Sequence, residues 1–167
     1  VVFGGRSGEH EVSLVSASSV IKALNPRKYE VTEIGITKEG LWLAGKGCLE
    51  KFKKNNFSEL EEVVFSTNKD LKDRPDIFFP VLHGPYGEDG TIQGLFEMLN
   101  IPYVGCNVLA SSLAMDKLQC KAIWKAADLP IVPYIGFNRK AWEKESKTIV
   151  KDILKNLGIP CFVKPAN

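Results

Sequence analysis

The stretch DIFFPVLHGPYGEDGTIQGLFEML, residues 76–99, constrains the fold more than any other. It opens on an apolar run at 77–82, bounded by charge on one side and glycine on the other. A run of that length reads as a strand buried on both faces. A polar, glycine-rich loop, HGPYGEDG, follows at 83–90. Beyond it Ile92, Leu95, Phe96 and Leu99 recur at helical spacing, so a helix begins near Gly90, with Asp89 placed to cap it. Strand, loop and helix form one half of a parallel α/β unit. Ligands of open parallel sheets bind outside the carboxyl ends of the strands. His83 and Glu88 therefore stand where chemistry is usually done. A tight turn with solvated polar groups satisfies the same spacing.

The chain of 167 residues is long enough for one full domain and part of a second. Its 44% hydrophobic and 25% charged content is that of an ordinary globular protein. The net charge of +2 argues neither for nor against nucleic acid, but no basic tract is interleaved with aromatics, so no nucleic-acid partner is expected. No apolar run approaches the roughly 20 residues that span a bilayer, and no signal peptide is present, so no membrane partner is expected. Cys48, Cys106, Cys120 and Cys161 show no CxxC spacing, which argues against a zinc knuckle. They read as unpaired small core residues in a reducing compartment, which predicts a cytoplasmic location. The chain starts inside a strand without methionine and stops just after a strand-like run, so a fragment is expected.

Residues 1–3 form a strand running into Gly4-Gly5-Arg6-Ser7-Gly8. A helix follows, with Leu14, Ala17, Val20, Ile21 and Leu24 on one face. Asn25-Pro26 ends it, because proline disfavours helix in the residue before it. The turn is not GxGxxG and lacks the GK[ST] ending of a P-loop. What remains is a glycine-rich turn with a helix N-terminus that favours an anion. Glu9, His10, Glu11 and Ser13 crowd it. They also admit a structural reading, in which the acids complement the helix dipole and Ser13 satisfies a first-turn N–H.

Residues 29–37 read as a second strand, Lys38-Glu39-Gly40 as a hairpin turn and 41–43 as its return. Residues 46–72 are expected as a polar, irregular surface excursion, with Lys51, Lys53 and Lys54 on a solvated face. A short strand at 102–105 and two helices at 107–114 and 116–127 come next. A strand at 131–137, a long helix at 140–157 stopped by Gly158 and Pro160, and a final strand at 161–164 complete the chain. The repeated β-α-β order predicts an α/β fold with a parallel or mixed sheet and helices on both faces. A domain boundary is expected near Met115, giving domains 1–115 and 116–167.

Five pieces occur in register: GGRSGEHEVS (4–13), HGPYGEDGTIQG (83–94), PYVG (102–105), MDK (115–117) and FVKPAN (162–167). Together they resemble the D-alanine–D-alanine ligase family of the ATP-grasp superfamily, and the HGxxGEDG loop followed by QG is the most specific. The resemblance covers the whole chain, but only about the first half of such an enzyme. It implies a Rossmann-like, pre-ATP-grasp parallel sheet that binds the first substrate, then the start of an ATP-grasp domain. It implies an enzyme of peptidoglycan synthesis that joins two D-alanines through an acyl phosphate at the expense of ATP. Magnesium or manganese ions would neutralise the phosphates, with their ligands beyond residue 167. The fragment alone is expected to be inactive, and a homodimer is expected.

By the same resemblance Glu9 holds the ammonium of the first D-alanine, as a carboxylate can through a charge-assisted bond. Val12 and Ser13, at the helix N-terminus behind it, border the same substrate. His83 orients it or stabilises the acyl phosphate. Glu88 supports the loop and His83. Lys117 and Lys164 reach the phosphates of ATP as compact point charges. Taken alone, each lysine reads as a solvated surface charge. Three other readings stay open: a relative using D-lactate or D-serine as second substrate, a different ATP-grasp ligase, and a binding-only module for a small amino acid.

Overall fold

A computed structural model describes residues 1–66 and 74–167. The chain separates into two compact units, Val1–Ser112 and Leu113–Asn167.

The first unit is a mixed sheet with helices on both faces. Strand β1 (Val2–Gly4) pairs in parallel with β2 (Ile34–Ile36), with Val2 opposite Ile34 and Gly4 opposite Ile36. Strand β3 (Trp42–Ala44) returns antiparallel to β2 through the expected hairpin, and β4 (Glu61–Glu62) adds an antiparallel edge. On the other side of β1 lies the run 78–81. Val2 N–H donates to the Phe79 carbonyl and Val81 N–H to the Val2 carbonyl, at 2.9 and 2.7 Å. Phe78 N–H reaches the Pro102 carbonyl at 2.8 Å, so this run lies in parallel between β1 and Tyr103.

The central run is thus where the sequence placed it, but it is not a regular strand. On the Tyr103 side the ladder stops at Pro80, which has no N–H. On the β1 side the next bond would run from Gly4 N–H to the Val81 carbonyl. Instead Gly4 N–H donates to Ser13 Oγ at 2.7 Å, and that hydroxyl donates to the Val81 carbonyl at 2.5 Å. Both ladders therefore end just before His83. Burial of the run is also uneven: Phe78, Val81 and Leu82 are buried, while Ile77 is half exposed.

Alternation along the strands divides the core in two. Val2, Ile34, Ile36, Phe78 and Leu82 face helix α3 (Thr91–Met98) through Ile92 and Phe96. Phe3 and Val81 face the other way, onto Leu14 and Ala17 of α1 (His10–Ala23) and onto α2 (Cys48–Lys53). Helix α2 corrects the expected surface excursion at 46–72. Its Cys48, Leu49 and Phe52 are buried, and Phe52 fills the space over Gly35, where a Cβ would run into its ring. Six residues are too few to display a helical period among so many lysines. Residues 67–72 of that expected excursion lie outside the described residues.

Helix α4 (Val108–Met115) is followed by α5 (Lys117–Ala126) and α6 (Arg139–Asn156). The expected break near Met115 is formed by Asp116, whose carboxylate accepts from Leu118 and Gln119 N–H and caps α5. Asn138 caps α6 in the same way. Gly158, at φ 75°, ends α6 by donating to the Ile153 carbonyl. The strands expected at 131–137 and 161–164 are not formed. Residues 131–137 contain Pro133, and their carbonyls and N–H groups find no ladder partner among the described residues. Phe162 and Val163 are 92% and 80% exposed. A strand needs a neighbour to pair with, and among the described residues these runs have none.

Candidate functional site

The glycine turn at 4–9 and the loop at 83–90 meet. Gly4 and Gly5 have φ of 87° and 97°, a region that glycine enters without strain. These angles swing the chain from β1 into α1. His10, buried in the first turn of α1, bonds through Nδ1 to the Gly5 carbonyl at 2.8 Å and stacks near Phe52. A carbonyl can only accept, so Nδ1 of His10 carries a proton. Sequence reasoning gave His10 no such role, because a polar residue in a first helical turn looks solvated.

Ser7 joins the two loops. Its hydroxyl donates to the His83 carbonyl at 2.7 Å and accepts from Glu9 N–H at 3.1 Å. The Glu9 carboxylate stands at the mouth of the junction. A Cβ added to Gly84 would lie 3.3 Å from Glu9 Oε1, so Glu9 sits beside the residue next to His83. Glu9 is exposed, and no cation among the described residues pairs with it. The ring of His83 is held by Ser16 of α1, whose Oγ lies 3.0 Å from Nε2. Val12 is 51% exposed on α1.

Ser13 is fully buried, and its hydroxyl both accepts from Gly4 and donates to Val81. That hydroxyl is committed to the sheet. Glu88 turns inward on its own loop, accepting from Gly84 N–H at 2.7 Å. Asp89 accepts from Tyr86 and Thr91 N–H. Partial burial raises its pKa, but these bonds outweigh burial and hold the carboxyl below its ordinary value.

A cleft of about 270 Å³ adjoins the junction through Ser7 and His83. Its apolar side includes Trp42 and Leu95, and its rim carries Arg6, whose guanidinium lies 5.1 Å from the centre of the Tyr86 ring. Neither Glu9 nor Glu88 lines it. Of the predicted residues, Glu9 and Glu88 reach Gly84 instead, while its neighbour His83 lines the cleft.

In the second unit Lys117 N–H bonds to the Ala166 carbonyl at 2.8 Å, and Lys117 Nζ lies 3.4 Å from the same oxygen. This ties the MDK segment to the FVKPAN tail. Lys164 is exposed and has no partner among the described residues. A shallow hollow of about 500 Å³ between Phe137, Trp142, Ile153 and Val163 contains neither lysine. Among the described residues no three histidines, cysteines or carboxylates converge as a metal site would require. Among the described residues no helix is long and apolar enough to cross a membrane.

Comparison with known proteins places these residues in context. The family described as D-ala D-ala ligase N-terminus matches residues 1–106, and that described as D-ala D-ala ligase C-terminus matches 123–167. A D-alanine–D-alanine ligase of Heliobacterium modesticaldum is 45% identical over all of this chain and 49% of its own. One from Thermoanaerobacter sp. is 46% identical over all of this chain and 50% of its own. The chain spans about half the length of the curated relatives it matches. Among solved structures, the VanG D-Ala:D-Ser ligase of Enterococcus faecalis superposes with a TM-score of 0.78 at 40% identity, over 99% of this chain and 50% of that one. The D-alanine–D-alanine ligase of Coxiella burnetii has a TM-score of 0.78 at 28% identity, over 90% of this chain and 47% of that one.

Proposed function

The chain belongs to the D-alanine–D-alanine ligase family, and from that premise we propose that it carries the first-substrate site of an ATP-dependent ligase that makes D-alanyl-D-alanine. The observation that supports this reading is the placement of the Glu9 carboxylate beside Gly84, next in the chain to His83, whose carbonyl Ser7 holds. A small zwitterion needs an anion for its ammonium and a donor for its carboxylate. Glu9 supplies the first, unpaired and exposed. His83, pinned by Ser7 and Ser16, is a ring donor for the second. Glu88 acts through the loop, holding Gly84 and hence His83 in place. Val12 offers an apolar contact for a methyl group, and Ser13 acts by holding the sheet behind the site.

Phosphorylating the carboxylate of the first D-alanine supplies the leaving group that the amine of the second displaces. Lys117 and Lys164 are the cations this chain offers to the phosphates of ATP. A divalent metal, magnesium or manganese, would screen phosphate charge when bound. This chain's share of the reaction is to bind and orient. We assign 1–115 to the first-substrate domain and 116–167 to the opening of the ATP-grasp domain. A homodimer in the cytoplasm is the accompanying expectation.

The test is Glu9→Gln in full-length protein. First-site D-alanine affinity should fall tenfold or more, since a hydrogen bond to a charged group contributes about 1.5–3 kcal/mol, while ATP affinity holds. Equal loss of both would overturn the assignment of Glu9. The resemblance to a D-Ala:D-Ser ligase favours D-serine as the second reading for the second substrate. Product mass with D-alanine, D-serine and D-lactate in competition decides between them, and faster formation of anything but the D-alanine dipeptide would overturn the main reading.

A further inference from the structure

Helix α1 carries four serines, and Ser16 and Ser19 differ in what their hydroxyls bond. Ser19 bonds back to the Val15 carbonyl, at 3.4 Å. Ser16 makes no such bond, and its Oγ instead lies 3.0 Å from His83 Nε2, across 67 positions of sequence. Its proton is therefore available to the ring. The His83 carbonyl is held separately by Ser7. His83 is thus pinned at both ends, and Nδ1 is the ring nitrogen left without a protein partner among the described residues.

A neutral imidazole has one donor nitrogen and one acceptor. When the Ser16 hydroxyl donates to Nε2, the ring proton must sit on Nδ1. We infer that Ser16 is a positioning residue for His83: its hydroxyl holds Nε2 as the acceptor and so presents Nδ1–H as a donor to the carboxylate or acyl phosphate of the first substrate. The substrate named here rests on the ligase reading, but the tautomer does not. Without Ser16 the ring is free to rotate and to exchange its proton between nitrogens, and an acceptor turned toward an anionic substrate repels it.

The experiment compares Ser16→Ala and Ser16→Thr with the parent chain, using ¹⁵N NMR of the ring nitrogens above the titration of histidine. The chain has two histidines, and His10, whose Nδ1 must donate to Gly5, is an internal reference for the Nδ1–H form. His83 of the parent chain should match His10. Ser16→Ala should move His83 toward a mixture of tautomers and leave His10 unchanged, and Ser16→Thr, which keeps the hydroxyl, should restore it. In full-length protein Ser16→Ala should raise the KM for first-site D-alanine about three- to tenfold, with the KM for ATP unchanged and with rescue by threonine. A parent His83 in the Nε2–H form, or an alanine variant identical to the parent in its ring signals, overturns the inference. So does an equal KM change in the alanine and threonine variants. If no dipeptide forms at all, the ligase reading fails while the ring signals still decide the role of Ser16.

Discussion

The hydroxyl of Ser13 stands where a backbone bond between two parallel segments would otherwise run. It separates β1 from 78–81 at their carboxyl ends, which is where the two site loops must diverge. Ser13→Ala leaves Gly4 N–H and the Val81 carbonyl buried without partners, so it should cost about 1–3 kcal/mol in urea unfolding. An unchanged midpoint would mean that the ladder closes once the hydroxyl is gone. The cysteines divide by the same logic of burial. Cys48 is buried, donates to the Leu43 carbonyl, and burial pushes its thiol up to about 11. Cys106 and Cys161 are exposed. At neutral pH a thiol reagent should titrate Cys106 and Cys161 rapidly, and Cys48 and Cys120 only after denaturation. Because the folded pKa of Cys48 is raised, its contribution to stability is complete below the ordinary value of 9.0 and is lost as pH rises through about 11. Glu9, His83 and their motif could be picked out from sequence. Ser7, His10 and Ser16 could not, because a serine or histidine near a helix start gives no local sign of which distant group it will touch.

At the scale of elements, helical and loop segments were legible wherever the period was long or the capping chemistry explicit. The apolar set of α1, the cap at Asp116 and the glycine stop at Gly158 all follow from neighbours in the chain. Helix α2 was not legible, because its identity depends on Phe52 filling a gap left by Gly35 on another strand. Gly35→Ala should therefore cost about 1–3 kcal/mol by overpacking, although its backbone angles suit any residue. Combining it with Phe52→Leu should recover part of that loss in a double-mutant cycle. Strict additivity would mean that ring and glycine do not share this space. The runs at 131–137 and 161–164 failed in the opposite sense: they have strand composition but no ladder partner among the described residues, and β propensity is largely a statement about what a strand packs against.

At the scale of the whole molecule, burial is unequally shared between the two units. The first has a core on each face of its sheet. Within Leu113–Asn167 only Cys120 is buried among the described residues, and α6 has no buried residue. Amides of α1 and β1 should therefore exchange hydrogen far more slowly than those of α6, read by mass spectrometry of the chain. Equal protection would show that the second unit is held as firmly as the first. What the amino-acid order determined by itself is local: an apolar run, a glycine-rich turn and a helical period each need only near neighbours, and their sequence order also fixes which loops lie at strand ends. What only the tertiary structure decided is the meeting of Ser7 and Ser16 with His83, across 76 and 67 positions. Hydrogen bonds between such distant groups exist only after the sheet has brought β1 and the central run side by side, and no local pattern records them.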